Sequence, residues 1–312
     1  MTVVGSCGTM VAQSYDASAA IEVVRDTIDG VIYDIYPDSV VTAGVYTAMQ
    51  PRDGVVTIPS EIDGKPNTTV AADAFKGDTS LRGVVFPDGI SYIRSGAFEG
   101  CSALEEINLP SSLKEIGASA FAGCKSVETL TLPDLMVSLG DSAFCDCTGL
   151  TSATILAPAA ITPYSFAGCT SLKSVTISKN VGRFDANSFA DDTSLTDIYI
   201  DEAKVNPPVI TTGAFNGCSN GQITLHAPTS HSSSAAKKMQ YNDIIARNPQ
   251  IKSVDYSTPT GVEEVVAAGS SPDWTRCDYY TLDGVKVSGS SPVAPGVYIV
   301  VGDTSVAKMV VR

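Results

Sequence analysis

The side chains of this chain that could do chemistry are eight cysteines, two histidines and 34 aspartates and glutamates. Residues 140–144 read GDSAF, as loops that carry a nucleophilic serine do, but residues 117–121 read GASAF, so the phrase belongs to a repeat. His226 and His231 have no acid or thiol partner at ligand spacing, and we interpret both as surface-loop residues. Acidic residues are scattered singly, and no nucleotide-binding or zinc-protease motif occurs. We therefore expect no enzyme activity, no cofactor and no metal.

Five of the cysteines share one position in the repeat. They lie three residues after a phenylalanine, where Asp78 and Asp192 stand in two other units; they are Cys101, Cys124, Cys147, Cys169 and Cys218. A position that accepts Cys or Asp favours a small polar group bonded to the backbone of the next loop over a disulfide. We predict a ladder of buried thiols. Cys145 and Cys147 form a CxC pair, but Cys145 replaces a variable residue, which argues against metal binding.

The repeat organises the middle of the chain. Seven phenylalanines recur at steps of 22 to 26 residues: Phe75, Phe98, Phe121, Phe144, Phe166, Phe189 and Phe215. Apolar residues precede each by five positions, and alternating apolar residues after it predict one half-buried strand per unit. This period is typical of a leucine-rich-repeat solenoid. One unit cannot bury its apolar side chains alone, so we predict about seven stacked coils, with small residues before each phenylalanine that let the rings form a column.

Outward positions of the predicted strands form the candidate binding face. They lie seven, eight and ten residues after the phenylalanine and alternate with buried positions. The members singled out are Arg82, Glu105, Glu106, Asn108, Glu128, Thr131, Thr154, Lys173, Thr176, Asp197 and Tyr199. The face is polar, rich in threonine and acidic at one end, and Tyr199 is its aromatic anchor. Any one of these residues could equally be an ordinary solvated strand residue; the set is favoured because solenoid sheet faces are extended recognition surfaces.

The flanking sequences predict caps and a separate module. Residues 14–69 indicate an N-terminal β-hairpin cap with a degenerate first coil, in which Thr47 takes the phenylalanine position, and residues 70–228 hold the repeats. Residues 229–256 contain a helix from Ser232, with Met239 and Ile244 on its apolar side, which caps the C-terminal end. Residues 257–312 predict a small all-β module of two hairpins. The predicted fold class is a mainly β leucine-rich-repeat solenoid with these additions.

Charge and hydropathy restrict the partners. The formal net charge is −14 and basic residues are scattered, so nucleic acid and anionic membranes are poor partners. No window reaches the roughly 18 apolar residues of a membrane span. Residues 1–13 are uncharged and moderately apolar, which indicates the remnant of a secretory signal without its basic start; the alternative is a disordered N-terminus. We expect an exported, monomeric protein.

The consensus IxxxAFxGCxSLxxVxLP over residues 55–228 resembles the BspA-like leucine-rich-repeat surface proteins of Bacteroidetes. That resemblance implies a secreted or cell-surface protein on the outer-membrane exterior, which binds an extracellular protein or glycan in adhesion or host interaction, without enzymatic repeats. Residues 261–312, with a DG hairpin followed by GVYIV and a valine-rich end, resemble a type A secretion-sorting domain, although the front part of that domain is missing. The alternative function is a structural spacer or assembly component that has no specific ligand.

Overall fold

The protein is a β-solenoid of about seven coils with an α-helix near the C-terminal end of the coils. The computed structural model describes residues 24–28, 31–36, 40–45, 54–157, 160–257, 278–281, 286–287, 296–301 and 306–311. The possible signal remnant at residues 1–13 and Thr47 lie outside the described residues. The predicted fold class is confirmed for the solenoid and its helix.

The strands are short because each side of a coil holds only one strand before the chain turns a corner. The N-terminal part contains β1 (Val24–Ile28), β2 (Val31–Ile35), β3 (Val40–Val45), β4 (Val55–Thr57), β5 (Glu61–Ile62) and β6 (Lys65–Val70). The coils continue with β7 (Gly83–Val85), β8 (Tyr92–Ile93), β9 (Glu106–Ile107), β10 (Glu115–Ile116), β11 (Thr129–Leu132), β12 (Ser138–Leu139), β13 (Ser152–Ile155), β14 (Ala160–Ile161), β15 (Ser174–Ile177), β16 (Arg183–Phe184), β17 (Asp197–Ile200), β18 (Val209–Ile210), β19 (Ile223–His226) and β20 (Ile251–Asp255).

One side of the solenoid, the front, is built from the strands that the alternating pattern predicts. Strands β4, β7 and β9 form one parallel ladder, and β11, β13, β15, β17, β19 and β20 form another. We call these two ladders together the front sheet. Their inward residues are buried, for example Leu130, Val175 and Ile198. The alternation follows because successive strand residues point to opposite faces.

A second side holds the two-residue strands that lie before each phenylalanine. Strands β6, β8, β10 and β12 pair in parallel, and β14, β16 and β18 form a separate ladder. At the N-terminal end, β2 pairs antiparallel with both β1 and β3, and β3 joins β6 in parallel. The predicted N-terminal β cap therefore extends this second sheet. Strands β5 and β6 form a small antiparallel hairpin just before the first complete repeat.

The seven phenylalanine rings form one column along the interior. Neighbouring ring centroids lie 5.0 to 5.9 Å apart, and the planes are within 21° of parallel. All seven rings are buried, and the preceding residue is a buried alanine or serine in every coil. The small residue leaves room for the ring of the next coil. The seven stacked rings confirm the predicted column.

The predicted ladder of buried thiols is confirmed, but the thiols bond to the preceding coil and not to the next one. All five ladder cysteines are buried free thiols. Each Sγ donates to the phenylalanine carbonyl of the preceding coil, at 3.0 Å for Cys101 to Phe75 and 3.2 Å for Cys147 to Phe121. We predicted a bond to the next loop; that direction is wrong, because the side chain points back over the coil that came before it. Burial raises the pKa of the Cys101 thiol to about 12 and that of Cys218 to about 12.

Two backbone positions per coil have positive φ, two residues before and two residues after the phenylalanine. Glycine, aspartate, asparagine and serine fill almost all of these positions, since they tolerate the left-handed region best. Tyr164 is the bulky exception, with φ 57° and a half-exposed side chain. The two tight bends let each coil turn a corner on either side of its buried ring.

The C-terminal cap is the helix α1 (Ala235–Arg247), preceded by a 3-10 turn at Thr229–His231. The N-cap is Ser234, whose Oγ accepts a bond from the Lys237 amide. The helix buries Tyr241 and Ile244, whereas Met239 is 70% exposed. The prediction that Met239 lies on the buried side is therefore wrong: the buried positions are Tyr241, Ile244 and Asn248, at spacings of three and four, and Met239 lies outside that face.

The prediction that His231 is a surface-loop residue is also wrong. His231 is fully buried between the 3-10 turn, helix α1 and the seventh coil. Its Nε2 lies 2.9 Å from the Lys204 carbonyl, and its Nδ1 lies 3.1 Å from the Tyr241 hydroxyl. Desolvation lowers the pKa of the His231 imidazole. The ring is part of the joint between the coils and their cap.

Beyond the cap, the described strands are β21 (Asp278–Thr281), β22 (Lys286–Val287), β23 (Gly296–Val301) and β24 (Val306–Val311). They form one antiparallel sheet in the order β22, β21, β23, β24. Both predicted hairpins of this module are thus present as strand pairs. The Asp283-Gly284 turn of the predicted DG hairpin lies outside the described residues. In the part of the chain that the structure describes, no helix is long and apolar enough to cross a membrane.

Candidate functional site

The outward face of the front sheet presents columns of polar side chains in strict register. Thr131, Thr154, Thr176 and Tyr199 are paired in succession across β11, β13, β15 and β17. A parallel ladder places residues of the same repeat position side by side, so the column follows directly from the period. This regular part of the face carries hydroxyl groups and ends in an aromatic ring.

The predicted members of the face lie in two groups. Arg82, Glu105, Glu106, Asn108, Glu128, Thr131 and Lys173 are exposed, whereas Thr154, Thr176, Asp197 and Tyr199 are partly covered. All of them lie within or beside front-sheet strands. The second group is less exposed because each of its residues has a paired strand on both sides.

A cleft separates the two ladders of the front sheet. No strand pairing joins β9 to β11 among the described residues, although the phenylalanine rings of these coils, Phe98 and Phe121, stay 5.0 Å apart inside. The cleft has a volume of about 660 Å³. We call it the acidic cleft and define it by its polar lining residues: Glu105, Glu106, Asn108, Ser126, Glu128, Thr129 and Thr131. The sequence predicted its acidic character, and only the structure shows the interrupted ladder.

The carboxylates of the acidic cleft differ in their partners. Arg82 Nη2 contacts Glu105 Oε1 at 2.9 Å and Oε2 at 3.1 Å, so this carboxylate has an ion-pair partner at the surface. Asn108 Nδ2 lies 3.4 Å from Glu106 Oε2, a weak bond at most. Because Glu105 and Glu128 occupy the same position in adjacent coils, their like charges disfavour close approach of the two strands.

At the other end of the face lies His226, for which the prediction from the sequence was wrong. We predicted a surface-loop residue, but the ring is buried, with its Nε2 2.7 Å from Asp197 Oδ1 and its Nδ1 3.5 Å from Asp255 Oδ2. It stacks on Tyr199 with ring centroids 4.3 Å apart and planes 12° from parallel. The signal was available in the sequence: ITLH at residues 223–226 alternates, which places His226 on the outward face beside Tyr199.

The chemistry of the face is that of a contact surface. Hydroxyls, carboxylates and one Tyr–His stack can donate, accept and pack against a partner. Among the described residues, no group of three or more His, Cys, Asp or Glu side chains is placed to hold a metal ion. The imidazole of His226 is engaged by acids on two neighbouring strands, so it serves to fix β17, β19 and β20 side by side.

Comparison with known proteins places these features in a family. The profile described as the BspA type leucine rich repeat region matches residues 68–196 and 158–248, with six copies of the repeat. Together the two spans take in more than half of the chain. None of the curated proteins compared with the chain matches it.

Solved structures of similar fold come from several bacteria. The leucine rich repeat protein TpLRR of T. pallidum is 24% identical, covers 71% of this chain and 96% of its own, and superposes with a TM-score of 0.57. The pneumococcal vaccine antigen PcpA is 19% identical and covers 75% of this chain and 48% of its own, with a TM-score of 0.48. A leucine-rich repeat protein of Bacteroides ovatus is 20% identical and covers 64% of this chain and 70% of its own, with a TM-score of 0.38. At these identities the likeness to TpLRR supports the fold alone.

Proposed function

Since the chain belongs to the BspA type leucine rich repeat family, we propose that it is a non-catalytic, exported surface protein that binds an extracellular protein or glycan. The proposed contact surface is the outward face of the front sheet. We further propose that it acts as a monomer on the outer-membrane exterior, without cofactor or metal, and that residues 257–312 serve as a sorting or structural module.

The observation that carries this proposal is the register of the face. Thr131, Thr154, Thr176 and Tyr199 are held at one repeat position by continuous strand pairing. A rigid, polar and extended surface lets a partner contact several coils at once with little loss of conformational freedom on the protein side. Family membership supports the same conclusion, since leucine-rich-repeat proteins commonly mediate protein interaction or adhesion.

The acidic cleft adds a charge preference at one end of the face. Two of its carboxylates, Glu106 and Glu128, have no ion pair among the described residues, and the chain has a net charge of −14. Basic groups of a partner are therefore favoured near β9 and β11.

The test is binding of the full chain to an array of extracellular proteins and glycans, followed by surface-plasmon measurements on each hit. Thr154→Arg places a long side chain in the middle of the face and should weaken binding at least tenfold, because a steric block acts on every contact around it. Ser138→Arg, on an exposed position of the second sheet, is the matched control and should bind as the wild type does. Binding measurements on Tyr199→Ala and Glu106→Lys then test whether the Tyr199 end and the acidic-cleft end of the face contribute to binding.

Two outcomes would contradict the proposal. Equal effects of Thr154→Arg and Ser138→Arg would move the contact surface away from the front sheet. A chain that self-associates in sedimentation velocity, and shows no saturable binding on the array, would instead support the structural spacer.

A further inference from the structure

We propose that the C-terminal cap is an acid-sensitive latch, in which protonation of His231 releases helix α1 and the 3-10 turn from the seventh coil. The cap covers the end of the stack, so its release would expose the apolar edge of the last coil. This inference concerns a part of the molecule that the proposed binding face does not use.

The latch depends on an insertion in the seventh coil. The step from Phe189 to Phe215 is 26 residues, against 22 or 23 for the others, and the additional length lies in the loop of residues 201–208. Both carboxylate oxygens of Glu202 accept the Thr229 amide, at 3.1 and 3.0 Å, and Glu202 also accepts the Thr229 hydroxyl. The Lys204 carbonyl accepts from His231. The insertion therefore holds the start of the cap at two points.

The hydrogen bonds define the protonation state of His231. A backbone carbonyl can only accept, so Nε2 carries the proton toward Lys204. Nδ1 is then the acceptor for the Tyr241 hydroxyl at 3.1 Å. Neutral imidazole satisfies both contacts, and it links the insertion to helix α1 through one ring.

A proton on Nδ1 would make this arrangement costly. The Tyr241 hydroxyl would have to change from donor to acceptor, and a full positive charge would lie in a site that is closed to solvent. The charged groups around the ring are Lys204, which is 7% exposed as a residue, Glu202 on the same loop, and Lys237 on helix α1. Tyr256 of the chain after β20 packs on Tyr241 and is neutral near pH 7. Glu202, the one acid in this set, already accepts hydrogen bonds from Thr229.

The effect on stability has a definite sign. Burial lowers the pKa of His231 below 6.5, so the folded cap binds fewer protons than the opened cap at mildly acidic pH. The stabilisation is fully present above pH 6.5 and is lost as the pH falls below that value. A terminal unit of a solenoid opens more easily than the whole stack, so the cap is the part that responds first.

Hydrogen exchange of the full chain, followed by mass spectrometry at pH 7, 6 and 5, tests the latch. After correction for intrinsic exchange rates, the open fraction of residues 235–247 should rise, by at most about tenfold per pH unit below 6.5, while the coils around Phe121 stay protected. His231→Gln keeps one donor and one acceptor but cannot take a proton, and it should abolish the pH dependence. His226→Gln is the matched control and should retain it.

Exchange of α1 that does not change with pH, or an identical pH dependence in His231→Gln, would overturn the proposal. Parallel loss of protection in the coils would also overturn it, because the transition would then be global. If His231→Gln fails to dock its cap at pH 7, His231→Asn decides the question, since it also keeps one donor and one acceptor and cannot take a proton. Exchange of its docked cap should not depend on pH; an unchanged pH dependence would contradict the latch.

Discussion

Replacement of Asp192 by asparagine should stabilise the protein, and increasingly so as the pH rises. Asp192 occupies the cysteine position of the ladder and is fully buried. Its Oδ1 accepts the Cys169 amide at 2.8 Å, whereas its Oδ2 has no hydrogen-bond partner among the described residues. Desolvation raises the pKa of this carboxyl to about 9, so the folded protein holds a proton there at neutral pH.

The magnitude follows from proton linkage. In the unfolded chain the carboxyl ionises with a pKa near 3.8, and in the folded chain near 9. The folded state therefore binds one more proton across this interval, and stability falls by about 1.4 kcal/mol per pH unit from about pH 4 to pH 9. At pH 7 the accumulated loss is about 4 kcal/mol. An asparagine keeps the acceptor for the Cys169 amide and removes this dependence.

The assay is guanidinium unfolding of the wild type and Asp192→Asn at pH 5, 6, 7 and 8, followed by circular dichroism. The difference in unfolding free energy should grow by about 1.4 kcal/mol per pH unit in favour of the variant. Asp78→Asn is the matched control, since it removes a carboxylate from the same repeat position in the first complete coil, where the side chain is only half-buried. Parallel pH profiles for the wild type and Asp192→Asn, or an equal change of slope in Asp78→Asn, would refute the reasoning.

Two further predictions concern the interior. Phe144→Ala should lower the unfolding free energy by about 3 to 5 kcal/mol, because the ring is buried and stacks on rings 5.3 and 5.5 Å away; a loss below 1 kcal/mol in chemical unfolding would contradict the shared column. In the folded protein at pH 8, peptide mapping after iodoacetamide treatment should find the five ladder cysteines unmodified, because all five thiols are buried and the reagent cannot reach them. They are Cys101, Cys124, Cys147, Cys169 and Cys218. Cys145 is half-buried and its pKa is raised to about 11, so it should react slowly; labelling of a ladder cysteine before Cys145 would be inconsistent with the ladder.

The repeated features of the fold could be predicted from the sequence because one spacing rule applies in every coil. The ring column, the front strands and the thiol positions each follow from an offset to the phenylalanine. Stacking identical units places equal offsets side by side, so a local pattern fixes a long-range contact. The eleven predicted face residues therefore lie on or beside the front strands, although their role in binding stays a prediction.

The predictions that failed lie where the repeat ends or changes. His226 and His231 were both assigned to the surface, and both are buried, because the cap and β20 cover the last coil. No periodic rule describes the cap, so the partners Tyr241, Lys204 and Asp255 could not be deduced by offset. The exposed Met239 shows the same limit for helix α1, since the buried side of a single helix depends on what it packs against.

The number of coils, the buried ring in each and the side of the solenoid on which each polar column lies follow from the period of the sequence. The points at which the regularity stops are visible only in the folded chain. They are the gap between β9 and β11, the burial of both histidines and the Asp192 Oδ2 that has no hydrogen-bond partner among the described residues. Those features arise from side chains that meet different neighbours at equivalent positions. Their energies depend on the solvent access and hydrogen-bond partners that the completed fold leaves to each of them.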